Sequence, residues 1–353
     1  MEAFNENKFS SEDGLSLLEE AIELFQRCLA LQEYQYTESR AQSEVMQDTD
    51  QTSDPDEGGA SLSESSSQPP QDDRWATIVE PVTSDTLLDT LLAQLQTLTT
   101  LCGLINVEAG RGLAWIEEYS TPLITAKLQT YLQDTTDREV EAGLTKANFI
   151  TALADANFRA QRIDATTYER ALNDIFSSLN LDDNPEGLCN RAEALIAYNT
   201  SLRLNPNLNS NEISLSRWKA LTAALDSLTK ASKLPSADNL PTIHLLRGDV
   251  ELLRCQLGQP PTNYDVASKN AGVLVKNAEK FYRGAGNLAK NEGSRKQIAE
   301  AAVKEALAAS LGGDVLKIKE MVKTEMDASR GVLEDAVDDG LVTFEMLASM
   351  GIA

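Results

Sequence analysis

The sequence predicts an all-α protein, an array of antiparallel helix hairpins with one acidic insert, and three observations predict it. Apolar residues make up 42% of the chain but aromatics only 5%. An apolar content carried by Leu and Ala suits helix-on-helix packing and falls short of the Val, Ile, Tyr and Phe that sheets favour. Apolar positions recur at spacings of three and four residues in one segment after another. No segment shows the strict alternation over several residues that a half-buried strand needs. The turns between segments are short, marked by Gly, Pro, Asp and Asn.

Taken in order, the first helix begins after Ser11 and places Leu18, Ala21, Ile22, Phe25, Cys28 and Leu29 on one face, fraying near Gln47. Residues 47–73 hold eight acidic side chains, no basic one, a single Leu, and many Ser, Pro and Gly. Too little apolar surface is present there to offset the entropy of ordering, so this stretch is expected to be a disordered acidic insert. Order restarts at Trp75 and Ile78. Leu88, Leu91, Leu92, Leu95, Leu98 and Leu101 then form a sustained helical stripe. Helical stretches follow over 114–132 and 139–162. Thr166 and Glu169 have the spacing of a capping box ahead of Ala171, Leu172, Ile175, Phe176 and Leu179. That helix ends in the turn Asp182-Asp183-Asn184-Pro185. Further helices are expected over 187–204, 213–232, 241–257 and 265–289. Pro241 stands at a first helical position, and Gly258 followed by Pro260 and Pro261 is a stop. Beyond them, 295–311 and 315–326 are rich in Ala and Lys and separated at Gly312-Gly313. The last segment carries Val332, Leu333, Val337, Leu341, Phe344 and Leu347 at amphipathic spacing. The organisation is thus a first helix of the array (1–46), the acidic insert (47–73), the helical array (74–290) and C-terminal helices (291–353) that form a cap or a loosely attached tail.

With 31 Lys and Arg against 55 Asp and Glu, the chain has a net charge of −24. Such a charge repels phosphate backbones and anionic lipid surfaces, excluding nucleic acid and membrane as general partners and making basic proteins the natural counter-surface. The charge is uneven. Residues 1–180 carry 11 basic and 32 acidic side chains, whereas 181–353 carry 20 and 23. Cys28, Cys102, Cys189 and Cys255 have no paired spacing and read as reduced, mostly buried thiols of a cytoplasmic or nuclear protein. Met1 to Ser11 lacks the apolar core of a secretory signal, and no stretch has the roughly 18 apolar residues of a membrane span. Without secretion, the acceptor pattern Asn199-Thr200-Ser201 has no use.

Three helices share a small, aromatic, small pattern at i, i+4 and i+7: Ala21-Phe25-Cys28, Ala194-Tyr198-Ser201 and Ala278-Tyr282-Ala285. A small residue lets a neighbouring helix come close, and the aromatic ring fills the gap beside it. The surrounding strings from Glu20, Glu193 and Asn277 resemble the second helix of the tetratricopeptide repeat (TPR), and Pro206 falls where that family closes its hairpin. The strict spacing of that family is broken by insertions, and of its first-helix positions only Trp218, Leu221 and Leu225 are found. The resemblance implies a TPR-like superhelix whose groove grips peptides or helices of partner proteins. The plain alternative is an ordinary helical bundle.

We identify no catalytic residue, no cofactor site and no metal ligand, and no binding residue that the sequence alone can name. His244, the single histidine, opens a helix on an apolar turn, with no nucleophile or ligand at supporting spacing. Gly284-Ala285-Gly286 follows no strand and reads as a close helix contact. Asp182-Asp183 and Asp338-Asp339 read as solvated caps. Residues 267–325 reverse the charge trend with 11 basic side chains, among them Lys276, Lys280, Arg283, Lys317 and Lys319, against seven acidic. They read as a solvated helix face, or as a dock for an acidic segment. Ser53 and Ser63, each before an acidic residue, would suit an acid-directed kinase. Three functions stay open: a non-enzymatic scaffold or cochaperone-type adaptor, sharpened as a dedicated chaperone for a basic client such as a ribosomal protein; a stable subunit of a larger assembly; and an enzyme without a recognisable motif.

Overall fold

The computed structural model describes residues 11–50, 81–105, 110–205, 210–324 and 326–352, and among them every regular element is helical. Residues 51–73 of the acidic insert, with Trp75, Ile78, Ser53, Ser63 and Pro206, lie outside the described residues, whereas its first four residues, 47–50, continue the first helix instead of leaving it near Gln47. The helices are α1 (Ser11–Asp50), α2 (Ser84–Leu104), α3 (Gly110–Pro122), α4 (Leu128–Leu132), α5 (Glu139–Arg159), α6 (Ala165–Ser177) and α7 (Pro185–Leu204). They continue with α8 (Asn211–Ala231), α9 (Leu240–Gln256), α10 (Asp265–Glu292), α11 (Arg295–Leu311), α12 (Val315–Thr324), α13 (Met326–Asp338) and α14 (Phe344–Ser349). Between α3 and α4 one wide π turn, Leu123–Lys127, follows Pro122. Proline cannot donate to the preceding turn, so the helix loosens there instead of continuing regularly.

The chain forms two compact units, the first made of the described residues up to Leu101 with Ile116–Ala142, the second of Cys102–Trp115 with the chain from Gly143 onward. In the first unit Ile22 and Leu29 of α1, the leucines of α2 from Leu87 to Leu98, and Ile116, Leu123, Ile124 and Leu128 are all buried. Polar groups cross-link these helices. The fully buried Gln94 donates to the Phe25 carbonyl (3.3 Å) and accepts from the Tyr119 hydroxyl (2.9 Å). Glu33 of α1 takes Lys127 Nζ at 2.8 Å and also the Tyr131 hydroxyl. The buried Gln94 amide thus finds a partner for both its nitrogen and its oxygen.

The inward face of α1 differs from the expected one. Ile22 and Leu29 are buried and Phe25 is half-buried, but Ala21 is only half-buried and Cys28 is exposed. Of the other thiols Cys102 and Cys255 are buried and Cys189 is intermediate.

In the second unit each helix from α6 to α12 packs against its chain neighbours, and α11 additionally packs on α9 and α13. Connections of a few residues turn the chain back each time. Helix starts have clear causes. Asn184 accepts the Gly187 amide (2.8 Å) with Pro185 in the first position of α7, and Ser210 accepts the Ile213 amide (3.2 Å) at α8. The α6 cap is not the Thr166–Glu169 pair: Asp164 accepts the Thr167 amide (2.8 Å), and Glu169 instead receives the Ser216 and Tyr198 hydroxyls. At the end of α10, Gly293 adopts φ 74°, the left-handed conformation that closes a helix at least cost without a Cβ. Asp182 and Asp183 sit exposed in the turn before α7, whose cap is their neighbour Asn184.

Two of the three small-aromatic-small helices bury their rings. Tyr198 meets Tyr168 edge to face at 5.0 Å between ring centroids, and its hydroxyl reaches Ser216 Oγ at 3.0 Å. Tyr282 is fully buried with Ala278 and Ala285. Its ring lies so close over Gly248 of α9 that a Cβ built there would stand 2.3 Å from Cε1. Replacing Gly248 by Ala forces the ring or the helix axis to move. Overpacking of this kind costs about 1–3 kcal/mol, beyond what the better helix propensity of Ala returns. Urea unfolding of Gly248→Ala is therefore expected to show a lower midpoint at unchanged slope, while Gly272→Ala, with open space around its Cα, shows none of this loss.

Candidate functional site

Two layers of polar chemistry sit in the second unit. The inner layer is a nearly buried cluster. Lys304 of α11, 6% exposed at its side chain, places Nζ 2.9 Å from Asp249 of α9 and 3.1 Å from Glu300. Asp249 also accepts the Tyr282 hydroxyl at 2.8 Å, so α9, α10 and α11 meet in one network. Burial alone would depress the Lys304 ammonium, but Asp249 and Glu300 outweigh it and hold its pKa above the usual lysine value. Removing the cation strands two carboxylates. Lys304→Met is expected to cost about 3–5 kcal/mol, whereas Lys304→Met combined with Asp249→Leu and Glu300→Gln recovers much of that loss in chemical denaturation.

The outer layer lies where α7, α9 and α11 receive the chain's own C-terminal segment. Arg203 of α7 donates to the Asp338 carbonyl (3.0 Å), and Gln256 at the end of α9 donates to the Leu341 carbonyl (2.8 Å). Gly340, at φ 77°, lets the Arg203 guanidinium pass within 2.3 Å of where a Cβ would stand. Behind Arg203, the buried Arg217 donates to Asn199 Oδ1 (3.0 Å), and burial with the nearby Arg203 charge pushes its pKa down to about 10. Leu333, Ala336, Leu341, Val342 and Leu347 join the same continuous core as α7 to α11. The final segment is held both by apolar contact and by side-chain donors aimed at its main chain.

At the opposite, N-terminal ends of α7 and α9 the same two helices leave a recess of about 420 Å3. Glu186, Glu193 and Asp238 line it together with Cys189, Asn239 and Thr242. Burial, and then Glu193 and Glu186, push the Cys189 thiol up to about 11, which makes it a poor nucleophile. A second recess, about 670 Å3, lies among α12, α13 and α14, lined by Val322, Leu333, Val337, Phe344, Leu347 and Ile352.

The sequence candidates fall apart in space. His244 stands in the first turns of α9, with its ring 6.3 Å from Phe281 and Nδ1 3.5 Å from Arg247 Nη1, and Gly284 packs beside it. Gly286 lies 3.5 Å from the Ala301 methyl when given a Cβ, an ordinary helix contact. Among the described residues no group of three or more His, Cys, Asp and Glu is placed to hold a metal ion, and no helix is long and apolar enough to cross a membrane. Lys276, Lys280, Arg283 and Lys319 are exposed, and Lys317 and Arg283 both pair with Glu305 at 2.7 and 3.1 Å. Asp338, the last residue of α13, and Asp339 just beyond it are exposed, and the main chain of Asp338 rather than its carboxylate makes the contact to Arg203. Sequence reasoning missed Lys304, Asp249, Arg203 and Gln256. The sequence around Lys304 gives no distinct signal, since Glu300 four residues earlier makes it look like an ordinary i,i+4 surface pair.

Compared with protein-family models, with curated proteins and with solved structures, the chain finds no match. What it can do must therefore be read from helices, charge and geometry. The described residues form an all-helical protein whose second unit holds its own C-terminal segment through side-chain donors from α7 and α9 to main-chain carbonyls.

His244 supplies a clean pH readout because it is the only histidine. Burial and the Arg247 charge hold its pKa below the usual histidine value. A lowered value in the fold means full stability above the ordinary histidine pKa and progressive loss as pH falls through the folded one. The difference in unfolding free energy between wild type and His244→Gln is expected to shrink as pH drops from neutral to mildly acidic, as measured by urea titration; a constant difference contradicts it.

Proposed function

We propose that this chain is a non-enzymatic protein-binding scaffold, a TPR-like adaptor that holds a basic polypeptide segment along the face shared by α7 and α9. One observation carries the reading: the pair of helices that holds main-chain carbonyls through Arg203 and Gln256 at one end presents an acid-lined recess at the other. Arg203 and Gln256 are occupied by the chain's own C-terminal segment, so the carboxylate-lined recess is the part offered to a partner, and it selects for Lys or Arg. The net charge of −24 adds a long-range attraction for basic clients and screens their charge while they are held. The sharper version, a dedicated chaperone for a basic client such as a ribosomal protein, is favoured by this charge. The small-aromatic-small packing of α7 and α10 supports a repeat-like array over a plain bundle.

Fluorescence anisotropy with a labelled Lys- and Arg-rich peptide tests the proposal. Binding is expected to weaken by about tenfold or more from low to high salt, and again in Glu193→Lys with Asp238→Lys. Deleting residues 47–73 should weaken it less than the recess substitutions do. Affinity that ignores both salt and the recess substitutions contradicts the scaffold as described.

A further inference from the structure

The first unit carries a separate surface. On α1, Leu17, Leu24 and Leu31 are 55%, 57% and 57% exposed, and Cys28 is exposed as well. With the half-buried Ala21 they recur at positions 17, 21, 24, 28 and 31, a spacing of four, three, four, three. That alternation is the seam of a two-helix coiled coil, in which apolar knobs repeat every 3.5 residues. It lies beside the face that α1 already buries through Ile22 and Leu29, so this helix has two apolar stripes, of which the described residues of its own unit cover one. An ordinary surface leucine needs no account, but three at heptad spacing on one line do.

Charge says what covers the seam. Glu20, Glu23 and Glu38 border its outer side and are exposed, while the one bordering cation, Arg27, is already paired with Glu23 at 3.5 Å. Over its length α1 carries ten acidic and two basic side chains. Two heptads of small and medium knobs (Leu, Ala, Leu, Cys, Leu) span about 21 Å and form too short a seam to hold a helix by apolar contact alone. Added ion pairs must come from the partner, and a second copy of so acidic a helix brings like charge instead. We propose that the Leu17–Leu24–Leu31 seam docks an amphipathic helix of a partner protein whose leucine stripe is flanked by Lys or Arg. This surface is distinct from the α7 and α9 face and stands or falls independently of it.

The test uses the full chain and two labelled peptides of equal composition and charge. One has Leu at seam positions with flanking Lys, and in the other the same residues are scrambled so that no stripe forms. Anisotropy is expected to show saturable binding of the first and much weaker binding of the second. Leu24→Ser with Leu31→Ser should reduce affinity about tenfold or more, Glu20→Lys with Glu23→Lys should reduce it too, and Glu292→Lys, exposed at the end of α10 and outside both surfaces, should leave it unchanged. Because these leucines are more than half exposed, circular dichroism of the double variant should match wild type. Equal binding of both peptides, no binding of either, or no effect of the leucine substitutions overturns the proposal. So does a wild-type dimer in sedimentation that Leu24→Ser with Leu31→Ser turns into a monomer, since the occupant is then a second copy.

Discussion

A tyrosine ring laid on a glycine joins α9 to α10, and the hydroxyl of that ring fixes the third helix. Tyr282 occupies the space over Gly248, reaches Asp249 with its hydroxyl, and through Asp249 meets Lys304 of α11. Each link constrains the next. Without glycine the ring has no room, without the ring Asp249 loses a donor, and without Asp249 a buried ammonium rests on Glu300 alone. Low effective dielectric makes such a cluster strong when complete and costly when broken. Because α11 in turn carries α12 and α13, the position of the C-terminal segment on α7 and α9 follows from this contact.

Charge is organised differently from packing. Almost all of the net charge belongs to residues 1–180, whereas the half that holds the Tyr282 cluster is close to neutral. The back half uses its charges in pairs, as in Arg283 and Lys317 with Glu305, or Arg254 with Glu251 at 3.0 Å. On α1 the acidic side chains outnumber the basic ones ten to two, so whatever local pairs form, as between Glu23 and Arg27, an excess of negative charge is left to act as a field. Charges that hold shape are thus kept apart from charges that act at a distance, the division that the proposed scaffold requires.

Much of the fold was legible because the chain is well punctuated. The 295–311 helix was read with its observed ends, since Gly312-Gly313 stops it and Ser294 precedes it. α10 runs beyond the expected Ala289 to Glu292 because its stop is Gly293. The capping box at Thr166 lost to Asp164, a stronger acceptor two residues earlier, which freed Glu169 for Tyr198 and Ser216. On α1 the 3.6-residue reading merged two stripes into one face and put Cys28 inside, since a single helix does not declare how many neighbours it has. The C-terminal contacts were invisible for another reason. Lys304 and Asp249 are 55 positions apart and Arg203 and Asp338 are 135 apart, and no local pattern encodes which distant charge a lysine or arginine will meet.

The most direct test of the central contact is amide hydrogen exchange followed by mass spectrometry on the intact protein. If the Tyr282 cluster governs the second unit, peptides from 243–255, 274–289 and 301–310 exchange slowest and with one common opening free energy, and Tyr282→Ala speeds all three together. Protection of α9 and α11 that survives Tyr282→Ala unchanged would show that these helices are held by other means and would contradict the account.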